Sequence, residues 1–260
     1  MTKKRIVLKV GSSILSDGYE INKLQIQKIA RLISALRERY DVLLVSSGAV
    51  ASGYTLLKID KTQITNKQAL ASIGQPLLME SYRLEFVKYG IITAQILVTG
   101  YNFDSRTQTR HAKDCVDTLL AHGILPILNE NDTTSTKELT SDLIGDNDRL
   151  GAYVTHYFDA GLLAILSDID GYYDSNPKHN PDAKILSHIT QIQPDVLNEQ
   201  ASPNGYFATG GIVTKLQAAQ FLLKHNRSMF LSNGNKLEVI QTFLLDSKQI
   251  SGTLFGNYYF

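Results

Sequence analysis

The sequence predicts an α/β protein with a mainly parallel sheet covered by helices on both faces. Three observations predict it. Short, β-branched apolar runs alternate with helical patterns about seven times along the chain. Most of those runs are apolar throughout rather than alternating, as strands buried on both faces are. The unusual polar residues, glycines, serines and acidic or amide side chains, gather just past the ends of those runs, where open α/β sheets hold their ligands.

Taken in order, Arg5-Ile6-Val7-Leu8-Lys9-Val10 reads as a buried strand that stops at the turn Gly11-Ser12-Ser13. Ile29, Leu32, Ile33 and Leu36 recur at helical spacing, so residues from about 23 to 39 form an amphipathic helix. Val42-Leu43-Leu44-Val45 is the next strand, ending in Ser46-Ser47-Gly48-Ala49. Residues from about 66 to 89 are mostly helical, with a break at Gly74 and Pro76. A strand over 91–98, a helix over 105–122, a strand over 124–128 and a helix over 150–158 follow. Then come a strand over 162–166, a loop rich in Asn, Pro and Asp through about 183, and a helix over 214–225. Met229-Phe230-Leu231 is a strand, 237–244 a helix, and Thr253-Leu254-Phe255 a short closing strand. No repeat or Pro/Ser-rich linker divides the 260 residues, which form one compact unit. The loop over 176–183 is the strongest internal transition, between lobes of about 1–160 and 161–260.

Composition narrows the function. Apolar residues make up 43% and charged residues 20%, enough for a real core, and the net charge of +1 gives no footprint for nucleic acid or an anionic membrane. The basic start, Met1-Thr2-Lys3-Lys4-Arg5, precedes an apolar run interrupted at Lys9 and too short for a signal peptide. No run approaches a membrane span, so a cytoplasmic protein is expected. The single cysteine, Cys115, excludes an internal disulfide and lies in a helical pattern with Val116, Leu119 and Leu120, which predicts a buried core thiol. The six histidines show neither HxH nor HExxH spacing, so no transition-metal site is expected and no metal ligand is singled out.

The polar stretch Gly145-Asp146-Asn147-Asp148-Arg149-Leu150 precedes a helix-compatible run. One Asp suffices to cap that helix. Two, with an amide between them, suit a held cation: a metal, a lysine or a substrate ammonium. Asn129-Glu130-Asn131-Asp132 follows an apolar strand in the same way. Lys9 stands inside an apolar strand, where a lysine either snorkels to solvent or meets an anion. The Gly-Ser-Ser turn just after it favours a phosphate, because successive backbone N–H groups of such a turn also face an anion. Lys215 follows Thr209-Gly210-Gly211-Ile212-Val213-Thr214, where a Gly-Gly pair before a helix lets phosphate oxygens approach the backbone. Neither GxxxxGK[ST] nor GxGxxG occurs. Ser47 lacks the GxSxG pattern and fits carboxylate binding better than nucleophilic attack. Tyr172, Tyr173, Tyr258 and Tyr259 suit packing as well as base stacking. Carboxylates between lysines, with Gly-rich loops nearby, are the components of phosphoryl transfer.

Together these motifs resemble the amino acid kinase family. The resemblance is carried by Lys9-Val10-Gly11-Ser12, Val45-Ser46-Ser47-Gly48-Ala49, Asn129-Glu130-Asn131-Asp132, Gly145-Asp146-Asn147-Asp148, Ser167-Asp168, and Thr209-Gly210-Gly211 through Lys215. Ala69-Leu70-Ala71-Ser72-Ile73-Gly74-Gln75-Pro76 and Ser251-Gly252-Thr253-Leu254-Phe255 extend it over essentially the whole chain. The paired NEND and GDND motifs point to the branch of that family whose acceptor is glutamate.

The resemblance implies a three-layer αβα sandwich around a mostly parallel sheet of about eight strands. It implies ATP-dependent phosphorylation of the glutamate γ-carboxylate, the first step of proline biosynthesis, with Mg²⁺. Lys9, Lys215 and Asp148 match catalytic positions: two lysines on the phosphates, and the aspartate that orients them. Ser47, Asp132 and Asn147 match glutamate-binding positions. Lys9, Ser167, Asp168, Thr209, Gly210, Gly211 and Lys215 match ATP-binding positions. Glutamate would sit on the first lobe and ATP on the second. The resemblance also implies proline feedback inhibition, a homo-oligomer (dimer or tetramer), and a hand-off of product to glutamate-5-semialdehyde dehydrogenase. Many members carry a C-terminal PUA module, usually linked to RNA binding; the sequence stops at Phe260, so a form lacking it is expected. Two departures are mild: Ser167-Asp168 stands where Thr-Asp is common, and Ala208-Thr209-Gly210-Gly211-Ile212 where Gly-Thr-Gly-Gly-Met is common.

Rival readings are a sibling kinase acting on acetylglutamate, aspartate or UMP, a non-catalytic nucleotide-binding protein, and an RNA-binding protein. Asp132 and the GDND motif disfavour the first, the presence of Lys9, Lys215 and Asp148 the second, and the charge balance the third.

Overall fold

A computed structural model describes residues 3–17, 20–134, 147–177, 179–193 and 210–259. Its centre is β1 (Lys4–Val10), in which Ile6, Val7, Leu8 and Val10 are fully buried. β1 pairs in parallel with β2 (Tyr40–Ser46) on one side and β5 (Leu162–Ser167) on the other. With β3 (Thr93–Val98), β4 (Leu125–Glu130), β6 (His188–Ile189), β7 (Ser228–Asn233) and β8 (Thr253–Phe255), the sheet has eight strands in the order β3-β4-β2-β1-β5-β7-β8-β6. All neighbours are parallel except β7 and β8. The chain leaves β1 to one side for β2 and returns to its other side with β5. The carboxyl ends of β1, β2, β4 and β5 therefore flank a point where the winding reverses.

Residues alternate between the faces of a strand. Ile6, Leu8 and Val10 face a layer built from α2 (Lys23–Leu36), α4 (Ile64–Phe86) and α9 (Leu237–Asp246). In α2, Ile26, Ile29, Ile33 and Leu36 form the buried stripe, and the Asn22 side chain caps the helix by accepting from Gln25 N–H. Val7 faces the other layer, with Leu150, Val154 and Phe158 of and just after α7 (Asn147–Tyr157) and Leu216, Ala219 and Leu222 of α8 (Gly210–Lys224). Lys9, two residues after Val7, is aimed by the same alternation at α7 and α8. The three-layer αβα architecture expected from the sequence is what forms.

Several local expectations are corrected. α4 runs unbroken through Gly74 and Pro76. Its buried ridge, Ala71, Gln75, Leu78, Tyr82 and Phe86, is continuous through that segment. Gly74 marks a close approach instead: a Cβ built there would lie 1.8 Å from the Ala49 carbonyl oxygen of α3 (Ala49–Leu56), a helix the sequence reading overlooked. The Gly11-Ser12-Ser13 turn opens a one-turn helix, α1 (Ser12–Leu15). α7 starts at Asn147 and α8 at Gly210, so Asn147, Asp148 and the Gly-Gly pair lie inside first turns rather than in loops before them. Two further short elements, α5 (Gly100–Asp104) and β6, carry too little pattern to be read from sequence. Cys115 is exposed, not a core thiol. The inward ridge of α6 (Arg106–Ala121) is Ala112, Val116 and Leu120, spaced by four, and Cys115 sits one residue off it.

Candidate active site

A cavity of ≈ 350 Å³ opens at the carboxyl ends of β1, β2, β4 and β5. It is lined from the β1 end by Lys9, Gly11, Ser12 and Ser13, and from the β2 end by Ser47 and Gly48. Asn129, Asp132, Asn147, Ser167, Asp168, Gly211 and Lys215 complete its polar wall. Of the positions expected from sequence, Lys9, Ser47, Asp132, Asn147, Ser167, Asp168, Gly211 and Lys215 thus converge on one space. Asp148 lies just behind the wall, and Gly210 is the first residue of α8. Thr209 and Asp146 lie outside the described residues.

The floor is a charge cluster. Lys9 Nζ stands 2.6 Å from Asp148 Oδ1 and Lys215 Nζ 3.1 Å from Asp148 Oδ2, with side-chain exposures of 4%, 9% and 0% for Lys9, Lys215 and Asp148. Lys215 Nζ also donates to the Gly211 carbonyl at 2.9 Å, and Thr214 Oγ1 to Asp148 Oδ2 at 3.3 Å. α7 can bring Asp148 this close because Gly151, one turn on, meets the sheet without a side chain. A Cβ there would lie 2.9 Å from Leu163 Cδ1 and 3.6 Å from Lys9 Cβ. Two ammoniums share one carboxylate, so the floor keeps a net positive charge in a poorly solvated place, where it acts on an anion more strongly than in water.

Helix ends add to that field. Gly11 and Gly48 are the N-caps of α1 and α3, and neither supplies a side-chain hydrogen bond to the first turn. Gly48 has φ 109°, a left-handed conformation that suits glycine. Ser, Thr, Asp or Asn would normally satisfy those N–H groups. Here the first turns of both helices line the cavity with uncapped donors, as an anion site requires. Gly211, in the first turn of α8, lines the same cavity.

Opposite the lysines, Asn147 Nδ2 donates to Ser47 Oγ at 2.8 Å and to Asn129 Oδ1 at 2.9 Å. Ser47 is tied to the sheet by its N–H to the Val10 carbonyl at 3.1 Å. Burial alone pushes the Asp132 carboxyl up to about 6, against an ordinary value of 3.8. An aspartate kept short of water in a cavity is a receptor for a cation. On the far side, Ser167 Oγ donates to Asp168 Oδ1 at 3.0 Å beside the first turn of α8. Sequence reasoning placed Asn129 in a strand-end motif but gave it no role, and missed the first turn of α3 as a site component. Asn129 was visible as the last residues of an apolar strand gave way to NEND; the α3 turn carried no chemical signature.

The cavity, with lysines bridged by a carboxylate and three helix N-termini around it, defines a phosphate-handling site of the phosphotransferase type. The chain belongs to the amino acid kinase family, whose sequence pattern matches residues 4–233. A protein of Helicobacter hepaticus named glutamate 5-kinase is 60% identical over 98% of this chain and 96% of its own length. Proteins of the same name from Wolinella succinogenes and Leishmania donovani are each 52% identical, over 97% of this chain and 97% and 95% of their own. Among solved structures, the UMP kinase of Ureaplasma parvum superposes with a TM-score of 0.63 at 16% identity, covering 99% of this chain and all of that one. The isopentenyl phosphate kinase of T. acidophilum gives 0.62 at 17%, covering 97% of this chain and all of that one. At such identity the two structures speak to the fold alone.

Proposed function

We propose that the protein transfers the γ-phosphoryl group of ATP to the γ-carboxylate of glutamate, giving γ-glutamyl phosphate and ADP, the first step of proline biosynthesis. The observation that carries this reading is the pairing, across one cavity, of the Lys9–Asp148–Lys215 floor with the desolvated Asp132. The floor suits a transferring phosphoryl group; Asp132 suits the α-ammonium of an amino acid. The Ser47 hydroxyl and the first-turn N–H groups of α3 suit a carboxylate.

In the reaction, a γ-carboxylate oxygen attacks the γ-phosphorus. The new O–P bond forms as the bond from that phosphorus to the β,γ-bridging oxygen breaks, and ADP leaves with the electron pair. A carboxylate is already ionised at neutral pH, so no general base is needed. The obstacle is bringing two anions together, and Lys9 and Lys215 offset it by placing fixed positive charge beside the phosphoryl oxygens. Asp148 holds both ammoniums in place, so they need no reorganisation as charge shifts.

ATP is the co-substrate, and it would rest against Lys9 and, on the second lobe, Ser167, Asp168, Thr209, Gly210, Gly211 and Lys215. Mg²⁺, where bound, neutralises phosphate charge. Asp168, in the same cavity, is the carboxylate that would help to hold such an ion on the nucleotide phosphates. Proline, which shares an α-carboxylate and an α-ammonium with the substrate, would compete for the same groups and be overcome by glutamate. A cytoplasmic homo-oligomer that hands its acyl phosphate to glutamate-5-semialdehyde dehydrogenase completes the reading.

The test is ADP release with glutamate, N-acetylglutamate, aspartate and UMP offered in turn. Glutamate alone should drive turnover. Equal rates with aspartate or N-acetylglutamate would overturn the assignment, because Asp132 would then not be selecting a free ammonium on a five-carbon acid.

A further inference from the structure

The serine that faces the substrate is the end of a buried chain of amides whose direction is set by one backbone group. The Glu130 N–H can only donate, and it donates to Asn129 Oδ1 at 2.9 Å. That fixes which way the Asn129 amide points. Its Nδ2 must then face Gln75, which accepts through Oε1 at 2.9 Å. Gln75 therefore keeps its Nε2 for Gln95 Oε1, 3.0 Å away on the edge strand β3. In the other direction, Asn129 Oδ1 accepts a second time, so Asn147 must present Nδ2, at 2.9 Å. The same Nδ2 reaches Ser47 Oγ at 2.8 Å. Ser47 is thereby an acceptor from Asn147, and its own hydrogen is left to be donated elsewhere.

We infer that Gln75 is a positioning residue, holding through Asn129 and Asn147 the Ser47 hydroxyl as a donor toward a substrate carboxylate. This rests on the substrate reading above. Gln75 is buried on α4, and Asn129 is buried at the end of β4. Without the Gln75 acceptor, the Asn129 NH₂ is left unpaired where the side chain is almost closed to solvent. Turning the amide over would set that NH₂ against the Glu130 N–H. Either way Asn129 no longer dictates which end Asn147 shows to Ser47. Gln95 is exposed, so water can take its place and its removal should matter little.

The experiment is steady-state kinetics on the full chain with glutamate and ATP varied in turn, and thermal unfolding to verify folding. Gln75→Met keeps length and helix propensity but offers no comparable acceptor. It should raise glutamate KM about 5- to 10-fold, the worth of a buried hydrogen bond left unmade, with ATP KM and kcat within about twofold. Gln75→Glu keeps an acceptor for Asn129 and should recover most of the glutamate affinity that Gln75→Met loses. Gln95→Met should stay within about twofold of wild type. In a Ser47→Ala background, Gln75→Met should add less than about twofold, because its route to the substrate is gone. Asn129→Ala cuts the chain one link nearer and should give the same split, which serves if Gln75→Met does not fold. An unchanged glutamate KM in Gln75→Met overturns the inference. So does a parallel rise in both KM values with Gln75→Glu no better, which is the mark of a merely structural role, or a full effect surviving in Ser47→Ala. Wild type without glutamate-dependent turnover would instead overturn the substrate reading, and this inference with it.

Discussion

Lys9 Nζ and Asp148 Oδ1 meet at 2.6 Å with both side chains almost wholly removed from solvent. One comes from the central strand and the other from the first turn of α7, so the ion pair fixes that helix end onto the sheet. Breaking a buried pair by removing one partner is costly, about 3–5 kcal/mol, because the other charge is stranded. Asp148→Asn would strand two ammoniums. We expect a loss of that order in unfolding free energy, measured by urea titration without ligand, and ATP should restore part of it by supplying anions. An unchanged midpoint would contradict this.

Lys215 is expected to act mainly in the transition state, where charge on the transferred group is redistributed. Lys215→Ala should lower kcat roughly 10²–10³-fold, the range for losing one preorganised donor. A variant with near wild-type kcat and only a higher ATP KM would show uniform binding instead.

Asp132 gives opposite effects on affinity and stability. Its folded carboxyl titrates at about 6 against 3.8 ordinarily. A raised value means the folded state holds a proton more tightly than the unfolded chain. The associated stability is fully present below the unfolded value and is lost as pH rises through about 6. At pH 7.5 the ionised, desolvated carboxylate therefore costs stability, at most about 3 kcal/mol at 1.36 kcal/mol per unit. Asp132→Asn should raise Tm at pH 7.5 and lose that advantage near pH 4. It should also raise glutamate KM roughly 30-fold or more, with ATP KM hardly moved, because the ammonium loses its charge partner. In wild type, kcat/KM for glutamate should fall as pH drops through about 6, since only the ionised form pairs with the ammonium. A glutamate KM within about threefold of wild type in Asp132→Asn would leave this residue a loop closer.

Gly74 and Gly53 let α4 and α3 touch backbone to backbone. A Cβ at Gly74 would stand 1.8 Å from Ala49 O, and one at Gly53 1.9 Å from Leu70 O. These neighbours are main chain and cannot rotate away, so Gly74→Ala must push α3 aside. Because the first turn of α3 lines the cavity, glutamate affinity should fall along with stability. Gly100→Ala, with nothing within 4 Å of its Cβ, is the control and should be neutral on both counts. Equal Tm for the two variants would contradict the packing argument.

The strands were legible because β1, β2, β5 and β7 are buried on both faces and read as short apolar runs. The site was legible because its polar residues gather just past the ends of β1, β2, β4 and β5 and in the first turns of α7 and α8. Lys9 could be singled out, since a lysine inside such a run either snorkels to solvent or meets an anion, and the Gly-Ser-Ser turn after it favours the anion. What failed to show was contact-dependent. Gly74 and Pro76 resemble a helix break until α3 is packed against Gly74. Gly210-Gly211 and Asn147-Asp148 resemble loops in sequence, although they lie in the first turns of α8 and α7. Gln75 is an unremarked amide in a helix unless its distance to Asn129 is known. Cys115 is a single residue off the buried ridge of α6, and periodicity alone places it within one position of the core.

The most direct test of the account is chemical capture of the product. Wild-type protein is incubated with ATP, Mg²⁺ and glutamate in the presence of hydroxylamine, and ADP and hydroxamate are measured together. The account expects glutamate-dependent γ-glutamyl hydroxamate forming in step with ADP, and neither from the Lys215→Ala variant at a comparable rate. ADP released without hydroxamate, or at the same rate when glutamate is omitted, would contradict transfer to the carboxylate.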